Sequence, residues 1–166
     1  LRRSRGLGDV YKRQALSIYR SEFRPSEKFS KPLVNVCMWA LTANTNEEAK
    51  YLFASRAAWK IGRNYGQLGS ITDPDNALSI INDNGWTEQY QNMYQNSLVG
   101  DANITKDKIS KLVEENNIDE IAILTWCHNE NHRIKSYQIF AKAFELSEKR
   151  KPVISAVSVS YTHLRA

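Results

Sequence analysis

The chain has 166 residues, with 23 Lys/Arg against 18 Asp/Glu, a formal charge of +5 and a pI near 9.2. That length suits one modest domain, no apolar run approaches the roughly 20 residues that span a bilayer, and Cys37 and Cys127 are too few for a disulfide framework. Such a basic balance would suggest nucleic acid or anionic lipid, but its location removes the suggestion.

Residues 1–14 hold five of the Lys/Arg and one Asp, and Arg165 adds one more positive charge. The string SRGLGDVYKRQ (residues 4–14) back-translates to a DNA whose reverse complement, in a shifted frame, encodes VSYTHLRA, which is residues 159–166. Inverted copies at both ends look like the transposon adapter of a sequencing library translated with its insert, so 1–14 and 159–166 are set apart from 15–158. The remaining segment has 17 Lys/Arg and 17 Asp/Glu, a net charge of zero. No nucleic-acid or membrane partner is then expected, and the class reads as soluble and cytoplasmic, with both thiols reduced and buried.

Residues 15–23 read as the last turns of a helix, with Leu16, Ile18, Tyr19 and Phe23 apolar and Pro25 as the stop. Residues 33–41 include Val34, Val36, Cys37, Met38 and Trp39, which suits a strand covered on both faces. Thr45 and Glu48 have capping-box spacing, and Asn46, Glu47 and Glu48 put acceptors and negative charge at a helix start. Ala49, Leu52, Phe53, Ala57 and Ile61 then form an apolar face up to Gly62. Gly62, Gly66, Gly69 and Asp73-Pro74-Asp75 punctuate a loop, the glycines lacking the GxGxxG order of a phosphate-binding turn. Short helices are expected near 77–81 and 87–94, with Trp86, Tyr90, Met93 and Tyr94 as packed cover.

Residues 97–101 read as a turn, and Thr105 as the cap of a helix carrying Ile109, Leu112 and Val113 that Asn116-Asn117 ends. Ile118, Ile121, Ile123 and Leu124 mark a second strand buried on both faces. Asn131 is then the expected cap of a helix with Ile134, Tyr137, Ala141 and Phe144 on one face. Strand, polar break and capped amphipathic helix, twice over, predict an α/β fold with parallel strands.

Chemistry is sparse in these residues. His128 and His132 stand four apart beside Cys127, but no third ligand has a recognisable spacing, so they read as loop and helix-start histidines. Cys127 and His128 are neighbours that seldom point at each other, with no orienting third group. Glu47/Glu48 and Glu114/Glu115 read as capping and solvated charge. Trp39 and Trp126 stand near strand carboxyl ends, where barrel and sheet enzymes bind ligands; structural packing is the competing reading.

Several segments resemble the C-terminal part of bacterial luciferase-like flavin-dependent monooxygenases. They are YRSEFRPS (19–26), KPLVNV (31–36), ANTNEEAKYL (43–52), SLVGD (97–101), DEIAILT (119–125) and HRIKSYQIFAKAF (132–144), in matching order and spacing. Departures are Asn44 for the family's Asp, Asp101 for its Ser/Thr, and no Pro at 102. The resemblance implies a partial (β/α)8 TIM barrel: the last two strand–helix units plus the end of the preceding helix. It implies reduced FMN, or a deazaflavin in some branches, with O2 as co-substrate and a small organic substrate. A flavin reductase partner and a homodimeric parent would go with it. The family's main catalytic positions lie on earlier strands and have no counterpart here, so Trp39 and Trp126 are the cofactor-binding candidates, on the rule for strand ends. Two strands cannot close a barrel, so this fragment alone should be inactive and prone to aggregate. The alternative is a self-contained, non-catalytic α/β binding or regulatory module; six further strand–helix units upstream, or a start codon near Ala15, would separate the two.

Overall fold

The computed structural model describes residues 7–146, with side chains from residue 14 onward; the adapter-like strings at 1–6 and 159–166 lie outside the described residues. Helix α1 (Leu7–Glu22) starts before residue 15 because nothing in 7–14 breaks a helix as proline would, and it ends ahead of Pro25. Strand β1 (Asn35–Thr42) leads into helix α2 (Asn46–Asn64). Thr45 Oγ1 accepts the Glu48 amide at 3.1 Å, as the capping box predicts, while the Glu48 carboxylate accepts the Asn44 amide at 3.0 Å, one residue further back than expected. Helices α3 (Pro74–Asp83) and α4 (Thr87–Gln95) follow, α3 with Asp73 as cap and Pro74 at its first position.

The expected turn at 97–101 is instead a short strand, β2 (Leu98–Gly100), too brief for alternation to mark it in the sequence. Helix α5 (Ala102–Asn116) is capped by Asp101, not Thr105: Asp101 Oδ1 accepts the amides of Asn103 and Ile104 at 2.9 and 3.0 Å. A carboxylate outcompetes a hydroxyl at the positive end of the helix dipole, and Thr105 sits buried one turn on, donating to the Asp101 carbonyl at 2.7 Å. Asn117, at φ 47°, ends α5 in the left-handed conformation asparagine tolerates. Arg20 of α1 donates to the Asn116 and Asn117 carbonyls at 2.6 and 2.7 Å, a cation on a helix C-terminus. Strand β3 (Glu120–Leu124) and helix α6 (Glu130–Ala143) complete the order, with Asn129 rather than Asn131 as cap; its side chain accepts the Asn131 amide at 2.8 Å.

The sheet order is β2-β1-β3, every pairing parallel, as the two strand–helix units require. Trp39 of β1 lies opposite Leu124 of β3, and Ala40–Thr42 pair with β2. The neighbours Ala40 and Leu41 must point to opposite faces, and each belongs to a different core. Leu41 joins Phe53, Ala57, Ile81, Tyr90 and Val99 under α2, α3 and α4, whereas Ala40 joins Ile109 and Phe140 under α5 and α6.

Full burial of both main strands is not observed. β1 is buried only from Ala40 to Thr42, and on β3 Glu120, Ala122 and Leu124 are exposed while Ile121 and Ile123 are half-buried. No described element covers the face carrying Asn35, Cys37, Ala122 and Leu124, so Cys37 is an exposed free thiol rather than a buried one. Helix α6 also turns a different face inward: Ser136 and Phe140 are buried, while Ile134 and Tyr137 are 47% and 38% exposed. Among the described residues no helix is long and apolar enough to cross a membrane.

Candidate functional site at the strand carboxyl ends

Parallel strands leave their last amides and carbonyls at one end, and those groups need partners. Helix α6 supplies two. Ser136 Oγ accepts the Thr42 amide at the end of β1 at 3.0 Å, and Tyr137 Oη accepts the Thr125 amide just past β3 at 2.9 Å. Thr125 Oγ1 donates across to the Ala40 carbonyl at 2.8 Å. These needs explain the face α6 presents: a polar side chain at 136 is worth more against a buried amide than an apolar one. The Ser136–Tyr137 pair of α6 thus ties down the ends of two adjacent strands.

Trp39 and Trp126 share one neighbour, Arg56. The Arg56 guanidinium of α2 lies 4.0 Å from the Trp39 ring centroid and 5.5 Å from that of Trp126. Trp126 packs edge-on against Trp59 (5.6 Å, 82°), Arg63 stands 5.3 Å over Trp59, and Trp39 leans on Phe53 (5.7 Å, 43°). Trp39 is half-buried and Trp126 is 37% exposed. Burial lowers the Arg56 guanidinium to about 10, which leaves it a cation at neutral pH. Arg56 Nε and Trp39 Nε1 are both shut from solvent without an acceptor. Native proteins rarely leave buried N–H groups in that state.

The cavity beside Trp59, lined by Ala58, Gly62, Leu68, Gly69 and Ile80, has a volume of about 210 Å³. Small-molecule sites run to roughly 300–1,000 Å³, so it holds no cofactor by itself. The other candidates do not converge on this point. His128 is exposed and His132 half-buried, and among the described residues no group of three His, Cys, Asp or Glu could hold a metal. Burial pushes the Cys127 thiol up to about 11, the wrong direction for a nucleophile. Sequence reading paired the two tryptophans with strand ends but missed what joins them. The signal was present: Arg56, Trp59 and Arg63 recur at i, i+3 and i+7 on one stripe of α2.

No family model matches the chain. Over 130 residues it is 30% identical to a luciferase-like monooxygenase of Escherichia coli (strain K12), covering 76% of this chain and 38% of that protein. It is 26% identical over 139 residues to the uncharacterized protein YddN of Bacillus subtilis (strain 168), covering 82% and 41%. The chain therefore spans about two fifths of the length of the curated relatives it matches. Among solved structures, the crystal structure of apo-MsnO8 matches with a TM-score of 0.68 at 20% identity, over 82% of this chain and 42% of that one, a likeness of fold.

Proposed function

We propose that this chain, which belongs to the luciferase-like monooxygenase family, is the part of a flavin-dependent oxygenase that walls one side of the ligand site with Trp39 and Trp126. The observation that carries the reading is that both indoles, Trp39 within β1 and Trp126 two residues past the end of β3, stand over one half-buried cation, Arg56. Parallel-sheet enzymes bind ligands at the carboxyl ends of their strands.

The residues fit a reduced FMN. Flat aromatic faces suit its ring system, a cation suits its negative charge, and the unpartnered Trp39 and Arg56 N–H groups suit its oxygen acceptors. When bound, the flavin would give two electrons to O2, one oxygen atom entering a small organic substrate and the other leaving as water. The chain's own work is to pack the ring with Trp39 and Trp126, hold positive charge at Arg56, and tie the neighbouring strand ends with Ser136 and Tyr137. The open sheet face at Cys37, Ala122 and Leu124 fits the rest of a (β/α)8 barrel, supplied by the other three fifths of the family's length. A reductase delivering reduced FMN, a homodimer and a cytoplasmic setting complete the reading.

The test is the longer reading frame that contains this chain. Its product should consume O2 only with reduced FMN present, and the 166-residue chain should show no turnover. Flavin-independent activity, or activity in the short chain, would overturn the proposal.

A further inference from the structure

Arg56 carries a consequence beyond the flavin reading. Arg56 is half-buried with its Nε shut from solvent, and a cation so placed ordinarily faces a carboxylate, because burial strips part of the water that would otherwise stabilise it. Among the described residues Arg56 has neither a hydrogen bond nor an ion pair; the salt bridges there are Lys111–Glu115 and Arg133–Glu130, both elsewhere. Its environment is two indole faces, which stabilise a cation without satisfying its N–H groups. Its Nε lies out of solvent with no acceptor. Arg63 follows seven residues on, above Trp59, so the same stripe of α2 adds positive rather than negative charge.

We infer that Arg56 is the recognition group for an oxyanion, a phosphate, sulfonate or carboxylate, on a ligand entering at the carboxyl ends of β1 and β3. A planar guanidinium fork has parallel donors that match such an anion bidentately, and the Trp39 ring, 4.0 Å from the guanidinium carbon, packs against it. The anion comes either from a flavin phosphate or from the substrate's head group. The inference stands whether or not flavin is the cofactor, since the observation is an unpaired charge.

The experiment uses the product of the longer reading frame, free of flavin, followed by tryptophan fluorescence. It is titrated with inorganic phosphate, methanesulfonate, FMN and riboflavin. The expected result is saturable quenching by at least one of the oxyanions, weakened about tenfold or more in Arg56→Met and less in Arg56→Lys, which keeps the charge but loses the fork. FMN binding tighter than riboflavin, with the difference lost in Arg56→Met, assigns the anion to the cofactor. Equal FMN and riboflavin affinity, with methanesulfonate lost in the variant, assigns it to the substrate. No saturable response to any oxyanion in the unaltered protein overturns the inference, as does a response that Arg56→Met leaves unchanged. Should Arg56→Met fail to fold by circular dichroism, Arg56→Gln is read in its place.

Discussion

Ser136 is fully buried, and its hydroxyl oxygen is the acceptor for the Thr42 amide, itself in a residue only 1% exposed. Ser136→Ala removes that acceptor and nothing else of size. Both residues are shut from solvent, so water does not replace the lost acceptor. Leaving one buried amide unpaired costs about 1–3 kcal/mol. The assay is equilibrium urea unfolding of the longer reading frame's product, with the m-value compared to confirm that only stability has changed. Tyr137→Phe is the internal control: it strips the same kind of acceptor from Thr125, but at a half-exposed ring that water can reach, so its cost should be about 0.5–1.5 kcal/mol. If Ser136→Ala lies within about 0.5 kcal/mol of the unaltered protein, α6 does not cap β1, and the account of its inward face is wrong.

Asp101→Ala removes the cap of α5 and should cost about 0.5–2 kcal/mol, read by the same unfolding curve. Gly100→Ala would set a Cβ 2.6 Å from Ile104 Cγ2 and 2.9 Å from Ile104 Cβ, so a destabilisation of about 1–3 kcal/mol is expected. Between the thiols, exposed Cys37 should alkylate readily at pH 8 and Cys127 slowly, with mass spectrometry reading the sites. Burial raises the Cys127 pKa from 9.0 to about 11, so the folded state favours the neutral thiol. Its contribution is therefore complete below pH 9 and is lost as the pH climbs toward 11.

Part of the local chemistry was legible. The Thr45 cap of α2 and the end of α5 at Asn116-Asn117 sit where the pattern puts them, whereas Asp73-Pro74, read as loop punctuation, in fact starts α3. The parallel pairing of β1 and β3 also followed, because two strand–helix units admit few other solutions. Two caps were misplaced by a few residues, Thr105 for Asp101 and Asn131 for Asn129, and the remaining failures were non-local. β2 has only three residues and is defined by its partner, β1. The inward face of α6 was misread because apolar periodicity cannot show that a serine is wanted under a strand end. Strands that look buried on both sides from composition are open on one face, since composition does not say whether the covering element is at hand. In the candidate site, Trp39 and Trp126 were nominated through strand ends, whereas Arg56 needed the coordinates that bring α2 over them.

The most direct test of the proposed site is anaerobic titration of the longer reading frame's product with reduced FMN, for the unaltered protein and for Trp126→Leu. Trp126 is partly exposed, so its loss should spare the fold. An aromatic contact is worth about 0.5–1.5 kcal/mol, so the affinity should fall about threefold to tenfold with turnover reduced in step. Unchanged affinity in Trp126→Leu, or no flavin binding by the unaltered protein, would contradict the assignment of this site.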